Sequence, residues 1–79
     1  MTFDKRFYGI YQGICIDNED PDATYRIKLQ VPQVLGQAVT DWSRPCRQPG
    51  ATSVPDVGQV IWVMFVGGDP NFPVWIGVL

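Results

Sequence analysis

The chain has 79 residues, 46% of them hydrophobic, which makes it globular and limits it to one small unit spanning residues 1–79. A chain this short buries roughly 60% of its unfolded surface and leans on association for stability. The formal net charge of −2 argues against an electrostatic role on nucleic acid, and the lack of histidine removes the commonest general base, the serine triad and most catalytic zinc sites.

Seven prolines and eight glycines cut the chain into short pieces with no useful helical periodicity, so an all-β fold is expected. Met1 to Arg6 is a polar lead-in that runs directly into a strand pattern, so no signal peptide is expected. No apolar stretch approaches the roughly 20 residues that span a bilayer. A soluble protein made in the cytoplasm, without membrane contact, is expected.

Phe7 to Asp17 (FYGIYQGICID) reads as the first strand. Tyr8, Ile10, Gln12, Ile14 and Ile16 share one face; Phe7, Gly9, Tyr11, Gly13 and Cys15 share the other. Two glycines on one face predict sharp coiling or a bulge, as closing a small barrel requires. Asn18 to Thr24 is an acidic turn bent by Asp20-Pro21. Its carboxylates depart from the spacing of a calcium loop, so a solvated turn is expected, with no metal and no cofactor. Tyr25 to Val31 alternates cleanly, with Tyr25, Ile27, Leu29 and Val31 opposite Arg26, Lys28 and Gln30. It should form a hairpin with the first strand.

Pro32 to Pro55 is a long irregular segment, suspicious in a small fold unless functional. Ala38 to Ser43 is a candidate short strand or helical turn. Trp42 is expected to plug a barrel end or cover a second apolar face. Arg44-Pro45 and Gln48-Pro49-Gly50 read as turns, and Asp56-Val57-Gly58 as a bend. Gln59 to Val66 is a strand of β-branched and aromatic residues. Gly67 to Pro73 is a turn and Val74 to Val78 a second strand, giving a long-tipped hairpin. Leu79 follows at once, so no second module is expected.

Val60, Trp62, Met64 and Val66 point one way along that strand; Ile61, Val63 and Phe65 point the other. Both sets are apolar, yet a chain this short builds only one core. A loop or another chain must cover the second face. The strands add up to a small five-stranded antiparallel barrel of the oligonucleotide/oligosaccharide-binding (OB) type, with an SH3-like barrel as the alternative.

The chemistry of the remaining residues points away from an enzyme. Ser43 and Ser53 lack an activating base, the carboxylates cluster in one turn, and Gly67-Gly68 lacks the helix and Lys-Ser/Thr pair of a phosphate loop. Cys15 and Cys46 read as free thiols. Arg26 and Lys28, with Tyr11 or Phe7 as stacking platforms, would serve a single-stranded nucleic-acid-binding OB module. The acidic balance favours reading them as ordinary solvated residues. Contacts to a partner are expected along the Pro32 to Pro55 loop with Trp42, at the aromatics around Trp62 with Phe65, at the Gly67 to Pro73 hairpin tip with Asp69, Asn71 and Phe72, and at Trp75. Trp42 and Trp75 read equally well as packing residues.

Several spaced motifs occur in order: Val31-Pro32 followed by Leu35-Gly36, Trp42-x-Arg44-Pro45, and Val57-Gly58 through Trp62-Val63, Phe65, Gly68-Asp69-Pro70 and Pro73-Val74-Trp75-Ile76-Gly77. In these the chain resembles the OB-fold domain of phage baseplate hub and tail-spike proteins and the related spikes of type VI secretion systems. The resemblance implies a virion structural protein of the tail tip. It implies a homo-oligomer, a trimeric ring, that docks on the tail hub and supports or plugs the tube end beneath needle or spike proteins. Family members often continue into a lysozyme domain and a β-helical needle. Neither is expected in this chain, so wall-degrading activity does not carry over. The alternatives are the single-stranded nucleic-acid module and, more weakly supported, a barrel binding sugar or a small ligand.

Overall fold

The run of β-branched and aromatic residues that dominates the C-terminal third does become the central hairpin. The computed structural model describes residues 5–46, 50 and 53–79. Its strands are β1 (Tyr11–Asp17), β2 (Lys28–Gln30), β3 (Arg44–Pro45), β4 (Val60–Phe65) and β5 (Pro73–Val78). One helical turn, α1 (Pro32–Leu35), and a 3₁₀ turn, Val66–Gly68, are the helical elements among the described residues. Pro32 suits the first turn of α1, where its missing N–H leaves no bond unmade.

The sheet order is β2-β1-β4-β5-β3. β1 pairs antiparallel with β2 (Cys15 opposite Leu29) and with β4 (Gln12 opposite Trp62, Ile14 opposite Val60). β4 pairs antiparallel with β5, from Phe65 opposite Pro73 to Ile61 opposite Val78. The two sheet edges then meet. Ile27 N–H donates to Ser43 O at 3.2 Å, Ser43 N–H to Ile27 O at 2.7 Å, and Thr40 N–H to Leu29 O at 2.8 Å. The curled sheet thus closes on itself as an OB-type barrel.

The expectation of purely antiparallel pairing is corrected at β3, which runs parallel to β5 (Arg44 beside Val74, Pro45 beside Trp75). The cause is parity. Directions cannot alternate around a closed ring with an odd number of strands, so one neighbouring pair must run parallel. The Arg44-Pro45 step is therefore a strand and not a turn.

Strand ends shift for local reasons. β1 begins at Tyr11, not Phe7, because the preceding residues lie against the hairpin, with Phe7 N–H on Gly68 O at 2.8 Å. β2 begins at Lys28, not Tyr25, whose φ of 64° is left-handed and breaks the ladder. Val66 leaves β4 for the 3₁₀ turn, where Gly67 and Gly68 take φ of 59° and 75°. Pro73, expected in the turn, opens β5, a strand position that tolerates its missing donor. Ala38–Ser43 makes bridges only at Val39 and Ser43. Met1 to Asp4 and the Gln48-Pro49 step lie outside the described residues.

The core is Cys15, Ile27, Leu29, Val31, Ile61, Val63, Phe65 and Trp75, all buried. Phe7 and Tyr11 pack against Phe65 with ring centroids 6.3 and 5.8 Å away. Burial, and secondarily the charge of Asp17, pushes the Cys15 thiol pKa up, as suits an inert core thiol. Cys46 is exposed, and both thiols are free. No helix among the described residues is long and apolar enough to cross a membrane.

The acidic turn is fastened from within. Arg26 Nε and Nη2 donate to Asp20 at 2.9 and 2.8 Å, and Nη2 also reaches Asp22 at 3.0 Å. The backbone N–H groups of Asp22 and Thr24 donate to Asp20 as well, at 3.0 Å each. The Arg26 guanidinium, helped by the Thr24 hydroxyl and these amides, holds the Asp20 carboxyl well below the usual carboxylate range. A carboxyl lowered on folding adds stability above its unfolded pKa and loses it as pH falls towards the folded value. Stability should therefore decline from the ordinary carboxylate range into strong acid. Asp20→Asn should be less stable at neutral pH and should flatten that acid limb, as read from melting temperatures across acidic pH. Superimposable acid profiles for the two proteins would refute this role for Asp20.

Candidate docking surfaces

A small barrel has a tight interior, and this decides which face of each strand looks inward. Gly13 and Cys15 of β1 are buried, while Ile10 is 54% exposed and Tyr8, Gln12 and Ile16 also lie on the surface. On β4, Ile61, Val63 and Phe65 enter the core, and Val60, Trp62 and Met64 face out. The aliphatic face of β1 and the second face of β4 thus lie side by side on the outside. Ile10, Gln12, Ile14, Val60 and Trp62, with Pro32 of α1, line an open hollow of about 500 Å³. Gly77, opposite Trp62 on β5, leaves the neighbouring position open, since an added Cβ there would meet nothing within 4 Å. Met64 continues the apolar surface at 42% exposure.

A second surface forms where β3 meets the hairpin tip. Trp42, Arg44, Asn71, Phe72, Pro73 and Val74 line a groove of about 290 Å³. The tip is shaped by its own bonds. Asp69 Oδ1 accepts the Asn71 N–H at 3.0 Å, Asp69 O accepts the Phe72 N–H at 3.0 Å, and Phe72 O accepts the Val66 N–H at 2.9 Å. Asp69 also faces Arg6 at 3.6 Å, an exposed pair of small energetic weight. Phe72 is left 59% exposed. Trp42 donates its N–H to Asp41 Oδ1 at 2.8 Å. Its ring centroid lies 5.0 Å from Lys28 Nζ and 5.9 Å from Arg26 Cζ.

The structure therefore distributes the expected contact residues over three places. Trp42, Asn71 and Phe72 come together in the groove, with Asp69 bracing the tip beside it. Trp62 anchors the outer apolar face. Phe65 and Trp75 are core residues at 6% and 5% exposure, and the Trp75 indole N–H donates to Tyr25 O at 3.0 Å. Trp42 neither plugs the barrel nor covers Trp62. It lies outside, beside Lys28, which projects away from the buried Ile27 and Leu29. Sequence reasoning passed over Ile10 and Ile14, and reached Arg44 only as part of the Pro32 to Pro55 loop. The alternation of β1 marked the isoleucines, but nothing local said which face would be outermost. Arg44 was hidden in a step that reads as a turn.

Among the described residues no cluster of acidic or cysteine side chains is placed to hold a metal ion. No curated protein matches the chain closely. The model of one family matches residues 11–79, which takes in every strand of the barrel, the groove beside Trp42, the hairpin tip and the outer apolar face except Ile10. The chain accordingly belongs to the family of type VI secretion system/phage-baseplate injector OB domains.

Proposed function

We propose that this protein is a structural, non-catalytic adaptor of a phage tail tip or baseplate. Copies assemble into a symmetric ring, a trimer, that docks on the tail hub and supports or plugs the end of the tail tube beneath needle or spike proteins. Residues 1–79 act as one OB unit whose contacts are made by surface, with no cofactor, no nucleic acid and no membrane. Synthesis is in the host cytoplasm and the working location is the virion tail.

The observation that carries this reading is the outward apolar sheet of Ile10, Ile14, Val60, Trp62 and Met64, with a complete core already on the other side. Taking such a side chain from full exposure to full burial is worth about 1.5–3 kcal/mol, and a neighbour that covers these half-exposed ones gains a share of that. A few per subunit, repeated around a ring, hold an assembly together.

The test is mass in solution by light scattering across a concentration series, together with binding to the hub protein. The wild type should associate as concentration rises. Ile10→Glu combined with Met64→Glu should remain monomeric and lose the hub. Its melting temperature should stay close to the wild type, because exposed substitutions typically change stability by about 0.5 kcal/mol or less. A wild-type protein that stays monomeric at high concentration and ignores the hub would overturn the adaptor reading.

A further inference from the structure

The groove beside Trp42 differs in chemistry from the hollow on the outer apolar face and shares no lining residue with it. Cations and aromatic rings are combined there in an unusual way for a chain of net charge −2. Arg26 is committed to Asp20 and Asp22. Lys28 and Arg44 have no ion pair among the described residues. Lys28 is held against the Trp42 ring, and Arg44 lines the groove with Trp42 and Phe72. The nearest acid in sequence, Asp41, uses its carboxylate on the backbone N–H of Trp42. Lys28 against the Trp42 ring and Arg44 in the groove are thus two cations outside ion pairs that share one aromatic neighbour, and Phe72 is more than half exposed at the groove's rim.

We propose that this groove docks an acidic, aromatic-bearing peptide segment of a partner protein. The partner's carboxylates would face Lys28 and Arg44, and its ring would pack between Trp42 and Phe72. Charge complementarity carries the assignment. A guanidinium fork and an ammonium beside a ring suit carboxylates on an apolar chain. The Asn71 side chain, exposed at the tip, adds a donor and an acceptor for the segment's backbone. Single-stranded nucleic acid would also meet cations and rings, but it needs a continuous basic track. Here Asp22 and the tied Arg26 interrupt it on the side next to Arg44, where a second hollow is lined by Asp22, Thr24, Arg26 and Arg44.

The test uses the full chain and a short synthetic peptide alternating Asp or Glu with Phe, followed through the indole N–H resonances in two-dimensional NMR. The Trp42 indole signal should shift on titration, and the Trp75 signal should not. Binding should weaken as ionic strength rises. Lys28→Gln combined with Arg44→Glu should weaken it about tenfold or more, since two favourable charge contacts are removed and one is reversed. Arg44→Ser alone, at an exposed position, should weaken it less and serves as the variant that leaves β2 untouched. The Ile10→Glu protein, altered on the outer face at a residue that does not line the groove, should bind the peptide as the wild type does, so failure of the ring and failure of the groove are separate results. No Trp42 shift at millimolar peptide, or affinity unchanged in the Lys28/Arg44 variant, would overturn the proposal. Tighter binding of oligothymidylate than of the peptide would overturn it in favour of nucleic acid.

Discussion

Trp75→Ala is expected to leave the chain largely unfolded at room temperature. Trp75 is the largest core side chain, 5% exposed, and it sits on β5 where that strand meets both β4 and β3. Removing a buried tryptophan costs about 3–5 kcal/mol through lost burial and the cavity left behind. It also strips Tyr25 O of the indole N–H that it accepts at 3.0 Å. Stabilities of small folds start near about 5 kcal/mol, so a loss of this size takes most of what exists. Trp75→Phe should keep much of the packing and lose mainly the hydrogen bond, about 1 kcal/mol. Far-UV circular dichroism with urea titration separates the three proteins. A Trp75→Ala protein with a near-native midpoint would mean that this residue does not hold the core. Trp62→Ala, by contrast, removes a tryptophan of β4 that faces outward, and should cost far less.

Gly13→Val is the second large effect. An added Cβ at Gly13 would lie 2.9 Å from Val63 Cγ2 and 3.0 Å from the carbonyl oxygen of Gln30. Val63 is a fully buried branched side chain and Gln30 O belongs to β2, so neither neighbour can swing aside. The strands on both sides of β1 must move apart. Overpacking of this kind typically costs about 1–3 kcal/mol, and a branched side chain belongs at or above the upper end. Gly77→Ala is the internal control, since an added Cβ there meets open space and φ is unexceptional. Denaturant midpoints should fall steeply for Gly13→Val and hardly move for Gly77→Ala. Equal midpoints would show that the close approach at Gly13 is relieved at little cost.

The same two positions show what could be read in the sequence and what could not. The hairpin of β4 and β5 was legible because its residues carry the signal locally, in a run of seven apolar residues from Val60 to Val66 that is rich in β-branched and aromatic types. The pairing of β1 with β2 was legible from the alternation of Ile27, Leu29 and Val31 and from the turn between them. Gly13 pointed to tight coiling. β3 was not legible. It has two residues, one of them proline, and it exists only because ring closure places it between β2 and β5. The choice of outer face was equally hidden. The β1 face with more aliphatic residues lies outside, because the interior admits only Gly13 and Cys15 at that point. The Trp42 groove brings together residues roughly 30 positions apart in the chain, so no local pattern announces it. Trp42, Asn71 and Phe72 could be picked out by type, but their meeting depends on the barrel's closure.

The acidic turn has a consequence for association. Most exposed turns lose motional freedom when a neighbour presses on them, and that loss opposes binding. Here Asp20 gathers the Arg26 guanidinium, the Thr24 hydroxyl and the backbone amides of Asp22, Thr24 and Arg26, and Tyr25 is pinned to the core by the Trp75 indole. The loop's disorder is surrendered during folding. A molecule pressing on it would meet a stiff knob with little motional freedom left to lose.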